Sequence, residues 1–288
     1  MPIWLSLICL LIASGFADQA AGATAPYRIV VVIEENHGYN QIIGNQGAPI
    51  INQLAKEGAL FTDAHGVWHP SQPNYLALFS GSTQGVTDDN PVRGTPLNTP
   101  NLAAELIAHS YTFAGFSESQ PGVGSTVLSA NGLYARKHNP WSNWQSSNPG
   151  QNQLPPTVNQ TFANFPTDFE QLPTVTFVVP NLNDDEHGNG KIPDQKLIRM
   201  SDDWLEKHLG SYVQWAKTHN SLLIVTWDED NYTPENHIPT ILIGSNVRPG
   251  KYDQRIDHYN VLRMIEDFYG LPRAGASEAA APIVNVFP

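Results

Sequence analysis

The chain has 288 residues, 41% of them hydrophobic and 15% charged, with a formal net charge of −12. That is enough apolar side chain for one large core, and it excludes a disordered chain. So acidic a balance excludes a general nucleic-acid binder, which needs a basic stripe against phosphates. It does not exclude an anionic substrate, because a bound cation or a local basic cluster overrides the global field.

In chain order, "WLSLICLLIASGF" is an apolar run too short to span a bilayer comfortably, and the small residues of "ADQAAGA" follow it. Residues 1–23 therefore read as a secretory leader, although no Lys or Arg precedes the run. This predicts a secreted or periplasmic protein with no stable membrane insertion after cleavage. The single cysteine, Cys9, falls inside the leader, so the mature chain would lack disulfides and thiolate ligands. Sequons stand at Asn159 and Asn231.

Residues 24–288 read as one domain. "YRIVVVIEEN" (27–36) is a buried parallel strand ending in acids. Residues 48–61 have helical spacing, 73–81 a second short helix, 99–110 a third, and 111–118 a strand. From about 119 to 170, Gly, Asn, Pro, Ser and Trp dominate, which reads as a long irregular insertion of functional type. "TVTFVVPN" (174–181) resumes the strand pattern, and 201–219 is an amphipathic helix with Ser201 as N-cap. Strands follow at 221–230 and 238–246, then a closing helix at 257–270 with a C-capping glycine. Alternating strands and helices predict an α/β fold: a three-layer α/β/α sandwich around a mostly parallel sheet.

Ligands in open α/β sheets sit beyond the carboxyl ends of the strands. Two hydrophobic strands here end in oxygen donors, Glu34, Glu35 and Asn36 on one and Asp228, Glu229 and Asp230 on the other. Carboxylates gathered at one edge repel unless a cation lies among them, so the pattern predicts one divalent metal ion bound mostly by oxygen. Its identity, among Ca, Mg, Mn and Zn, is open. Arg136, Lys137 and His138 in "YARKHNPW" form a dense basic spot suited to a phosphate. His187 follows a strand in "NDDEHG", His258 precedes the last helix, and His65 and His69 flank Ser71.

Ser71, in "HPSQPNY", follows a loop and precedes a helix. Locally it reads as an N-cap; beside two acid clusters and a basic spot it also reads as a nucleophile whose anion the helix N-terminus would favour.

Together, "IEENH", "HPSQPNYLALFSG", "YARKHNPW", "VVPN…DDEHG", "LLIVTWDED" and "DHYNVLRMIEDFYG" resemble the bacterial phosphoesterase family over about residues 27–272. That family groups secreted acid phosphatases with phospholipases C within the alkaline phosphatase superfamily. The chain is most similar to its mycobacterial-type secreted acid phosphatases acting on phosphoinositides. The resemblance implies an alkaline-phosphatase-like fold, a metal held by Glu35, Asn36, Asp228, Glu229 and the Ser71 oxygen, and a phosphoserine on Ser71. It further implies that His138 and Lys137 hold phosphoryl oxygens, that His187 serves the leaving group, and that His258 assists in binding substrate. Many members have Asp after the histidine matching His187, where this chain has Gly188; Asp202 and Asp203 are the nearby acids that could replace it.

The function expected is a secreted metal-dependent acid phosphatase acting on small-molecule or lipid phosphate monoesters. If imidazolium is required, activity falls as pH rises through the histidine pKa, giving an acidic optimum. The alternative is a phospholipase C-type phosphodiesterase. A metal-free serine hydrolase would lack a G-x-S-x-G elbow and leave both acid clusters unexplained.

Overall fold

The computed structural model describes residues 27–288. The expected leader and Cys9 lie outside them. In chain order the elements are β1 (Ile29–Glu34), α1 (Tyr39–Ile42), α2 (Pro49–Glu57), β2 (Ala59–His65), α3 (Ser71–Ser80), α4 (Leu102–Ala108) and β3 (Phe113–Ser117). A small hairpin, β4 (Ser129–Ala130) and β5 (Tyr134–Ala135), precedes β6 (Asn159–Thr161) and β7 (Val175–Val179). Then come α5 (Asp194–Ala216), β8 (Leu222–Trp227), β9 (His237–Gly244), β10 (Gly250–Tyr252), β11 (Ile256–Asp257) and α6 (His258–Tyr269).

The main sheet runs β10-β2-β9-β8-β1-β7-β3-β6, with β11 also beside β2. Every residue of β1, β7 and β8 is buried, as parallel strands covered on both faces must be, which is why they are runs of Val, Ile and Leu. Most neighbours are parallel; β9 is antiparallel to both β2 and β8. Helices α2 and α5 pack together, and α3 packs with α4 and α6. The sheet lies between these two groups as an α/β fold.

Register builds the site. Glu34 at the end of β1 pairs with Trp227 at the end of β8, so Glu35–Asn36 and Asp228–Glu229 leave the sheet at one level. On the other side of β1, the chain after β7 returns so that the Asp185 carbonyl accepts the Glu35 amide at 2.7 Å.

Several expectations need correction. The helix expected over 48–61 ends at Glu57, and Ala59–His65 is strand β2, paired with β9. Helix α5 begins at Asp194 with Pro193 as its N-cap, so Ser201 lies inside it and is fully buried. Residues 119–170 are irregular in outline but packed: Trp141 and Trp144 are fully buried. Gly115 on β3 admits Trp141 so closely that an added Cβ would lie 2.2 Å from its ring. Asn159 is also fully buried, bonded to Trp141, Ser125 and Gln145, so it is no glycan acceptor.

Candidate active site

Ser71 is the first residue of α3, and Pro70 is the N-cap. The hydroxyl caps nothing. Ser71 Oγ lies 2.9 Å from Glu229 Oε1 and 3.2 Å from Glu35 Oε2, so its single proton is contested by two buried carboxylates. The local reading as a helix cap fails because Ser71 is one residue inside the helix, where its hydroxyl turns to the strand ends instead of the first-turn amides.

Glu35 and Glu34 face opposite ways, as side chains do along a strand. Glu35 faces α3, where Tyr75 donates to its Oε1 at 2.7 Å and His138 Nε2 lies 2.9 Å from the same oxygen. Glu34 faces α5, beside Ser201 and Glu186; burial, then the repulsion of Glu186, pushes its carboxyl well above the usual range. Glu34 therefore stands apart from the oxygen donors around Ser71. Asp230 also stands apart, with its oxygens taken by the amides of Thr233 and His237.

Asn36 adopts a positive φ of 54°, which Asn tolerates better than most residues, and its amide donates to Asp228 Oδ1 at 3.2 Å. Asn36 Oδ1 and Asp228 Oδ2 are buried with no hydrogen-bond partner. Two orphaned oxygens beside Glu35, Glu229 and Ser71 fit a divalent cation better than they fit an empty apolar pocket. Electrostatics agree. Burial, then Glu35 and Glu229, pushes the Asp228 carboxyl well above its usual range, and burial pushes Glu229 up to about 7. Glu35 is the exception: burial would raise it, but His138 outweighs burial and holds it below the usual range.

His138 is sandwiched. Its Nδ1 lies 3.4 Å from Asp185 Oδ2, and its ring stacks on Tyr75 with centroids 5.0 Å apart. Burial would lower its pKa, but Glu35 and Asp185 overcome this and push it up to about 9. His138 is thus an imidazolium across the neutral range, and its titration does not by itself generate an acidic optimum. Glu35, His138 and His187 each bring one possible ligand atom within 4.8 Å of the others, so this trio is a second set of groups able to hold a cation. The His187 ring centroid is 5.5 Å from that of His138, and its amide donates to Asp185 Oδ1 at 2.8 Å. Glu186 between them has φ 78°, an unfavourable geometry for a long side chain and of a kind that clusters at functional sites.

Gly188 shows why no Asp stands there. Its φ is 67°, and an added Cβ would lie 2.6 Å from Leu197 Cδ1. Neither nearby acid replaces it: Asp202 accepts the Ile51 amide at 2.8 Å, and Asp203 pairs with Arg199 on the surface. His258 also lies outside the cluster. It is 1% exposed and its Nε2 sits 3.0 Å from the Trp227 carbonyl, where it supports the end of β8 just before Asp228. Burial under the end of β8 makes His258 a support for Asp228 rather than a group open to solvent.

Three further side chains support the cluster, two of them, Tyr75 and Asp185, not singled out from the sequence. Tyr75 and Asp185 orient Glu35 and His138, and His69 contacts the second oxygen of Glu229 through Nδ1. His65 instead faces Asp63 and Arg255 beside a cavity of about 860 Å³, separated from Ser71 by the loop through Trp68.

The model of the phosphoesterase family matches residues 45–272. The chain belongs to the phosphoesterase family. It is 48% identical over 262 residues to the phosphatidylinositol-3-phosphatase of Mycobacterium tuberculosis, covering 90% of this chain and 82% of that one. It is 27% identical over 248 residues to the phosphate-repressible acid phosphatase of Penicillium chrysogenum, covering 82% of this chain but 58% of the fungal protein. Among solved structures, an alkaline phosphatase superfamily protein from Vibrio parahaemolyticus matches with a TM-score of 0.60 at 15% identity, over 91% of this chain and 72% of that one. This last likeness shows the fold alone. The phosphoesterase is a phosphatase by its relatives, and its fold is that of the alkaline phosphatase superfamily.

Proposed function

We propose that this phosphoesterase is an exported, cation-dependent acid phosphatase that hydrolyses phosphate monoesters through a phosphoserine on Ser71. One observation carries this reading: the hydroxyl of Ser71, at the start of a helix, is turned into buried carboxylates beside two unpartnered oxygens. Glu35, Asn36, Asp228, Glu229 and Ser71 would hold one divalent cation. When bound, it supplies positive charge that lowers the serine pKa and offsets the charge of the phosphate.

Phosphoryl transfer has a loose transition state, so the protein's task is positioning and charge stabilisation. Ser71 Oγ attacks phosphorus and its proton passes to the flanking Glu229, which His69 backs from the other side. The imidazolium of His138 and the ammonium of Lys137 take the non-bridging oxygens. Burial would lower the Lys137 pKa, but Glu35 and Asp89 raise it above the usual value, so it is charged. The ester P–O bond breaks and His187 protonates the leaving oxygen. Water then attacks phosphorus with its proton passing to His187, the P–Oγ bond breaks, Glu229 returns its proton to Ser71 Oγ, and phosphate leaves.

Export rests on the leader-like residues 1–23. The name of the mycobacterial relative makes a phosphoinositide monoester the first lipid substrate to test. The deciding assay compares p-nitrophenyl phosphate with its bis-ester, with and without chelator, beside Ser71→Ala. The expected result is monoester preference, loss on chelation, and loss in Ser71→Ala. Preference for the bis-ester would move the reading to a phospholipase C-type diesterase, and activity surviving both treatments would overturn it.

A further inference from the structure

The seat expected for the phosphoryl group already holds an anion. Asp89 lies on the exposed loop between α3 and α4. Its Oδ1 accepts the backbone amide of Gln72, the second residue of the nucleophile helix, at 3.0 Å. Its Oδ2 lies 2.6 Å from Lys137 Nζ. A first-turn amide and a neighbouring ammonium are the donors that a phosphate at Ser71 would use. The next residue, Pro73, has no N–H, so few amides are available at this helix start.

The loop is fastened to the helix by the Gln72 side chain, whose Nε2 donates to the carbonyls of Asp88 at 3.0 Å and Asn90 at 2.7 Å. That clasp holds the loop whether or not the Asp89 carboxylate stays in place. The Asp89 side chain is 35% exposed, so it can turn to water when displaced, whereas the Lys137 side chain is 18% exposed and needs an anionic partner. Tyr232, stacked on His69 with centroids 4.8 Å apart, is exposed at the same mouth.

We propose that Asp89 is a built-in competitor: its carboxylate occupies the phosphoryl seat between the Gln72 amide and Lys137, and substrate must displace it. The inference rests on the phosphatase reading of Ser71 and adds a consequence. Every anion entering the site exchanges for Asp89, so both substrate and inorganic phosphate bind more weakly than the cations alone would dictate. Product leaves faster as a result. Asp89 thereby sets affinity without touching the reacting atoms.

The test measures competitive inhibition by inorganic phosphate, and KM for p-nitrophenyl phosphate, in the full chain, Asp89→Asn, Asp89→Ala and the Asp89→Asn/Lys137→Met pair. The Asn carbonyl still accepts the Gln72 amide, so that helix contact survives while the charge on Lys137 is released. Phosphate inhibition and KM should both tighten about tenfold in Asp89→Asn, the worth of one charge-assisted hydrogen bond transferred from Asp89 to the ligand. Asp89→Ala should tighten phosphate as well, and the gain should vanish when Lys137 is also replaced. Unchanged or weaker phosphate inhibition in both single variants, or no phosphate inhibition in any protein, overturns the inference. A melting-temperature change alone would mark Asp89 as a structural brace and would also overturn it. Ser71→Ala is run alongside: turnover surviving there defeats the phosphatase reading itself, whereas dead Ser71→Ala with unaltered phosphate inhibition in the Asp89 variants defeats only the role of Asp89.

Discussion

Replacing Asp185 with Asn isolates the electrostatics behind His138. The wild-type ring lies between Glu35 at 2.9 Å and Asp185 at 3.4 Å, which carry its pKa from 6.5 to about 9 despite complete burial. That displacement corresponds to about 3 kcal/mol in favour of the imidazolium. In the wild type the His187 amide donates to Asp185 Oδ1; in Asp185→Asn the side-chain carbonyl still accepts that amide, so the loop is kept. The new amide group faces His138 Nδ1, favouring a ring protonated only on the side of Glu35. One of two flanking charges is gone, and about half of the stabilisation with it. If the imidazolium holds phosphate, activity is present below the His138 pKa and lost as pH rises through it. The alkaline limb of kcat/KM on p-nitrophenyl phosphate should therefore begin near 9 in the wild type and move down by about one pH unit in Asp185→Asn. An unmoved limb, or one moved to higher pH, would refute the assignment of His138 as the charged phosphate donor.

Gly188→Asp should not restore a missing ligand but destabilise the fold by about 1 kcal/mol, read as a lower melting temperature, because φ is 67° and the tip of Leu197 must move aside for the new Cβ. Burial raises Glu266 to about 7, so its contribution to stability is present below its unfolded pKa and is lost as pH rises through about 7. Glu266→Gln should raise the melting temperature at pH 8 and leave it nearly unchanged at pH 4.5. His258→Ala should lower the melting temperature by removing the 3.0 Å contact to the Trp227 carbonyl, with a cost of about 1–3 kcal/mol measured by denaturant unfolding.

The strands that build the site were legible because burial on both faces leaves no choice but an unbroken run of Val, Ile and Leu, as in β1 and β8. β2 was not, because "ALFTDAH" follows a helix with only Gly58 between them, and its pairing with β9, β10 and β11 makes it a strand. Nor does a run of residues state its direction, so antiparallel β9 could not be told from its parallel neighbours. Among site residues, Glu35, Asn36, Asp228 and Glu229 meet at one sheet edge, as strand-end chemistry suggested, and Ser71, His138 and His187, which the family resemblance placed with them, lie there too. The alternation of side chains along β1 is the signal in the sequence that Glu34 and Glu35 part to opposite faces. Tyr75 and Asp185 act through partners far along the chain, so their roles were hidden; His69 was visible beside Ser71, but its partner Glu229 was not. The basic spot at Lys137 was legible, but its partner Asp89 was not, because an acid in "GVTDDN" looks like any solvated loop acid until the fold brings it to α3.

The central claim is a phosphoryl group carried by Ser71. The most direct measurement is to quench the enzyme with acid during turnover of p-nitrophenyl phosphate and map the modified peptide by mass spectrometry. Phosphoserine should appear at Ser71, be absent in Ser71→Ala, and be absent after chelation. A phosphoryl group on another side chain, or steady turnover with no phosphoenzyme at Ser71 under single-turnover quench, would contradict the account.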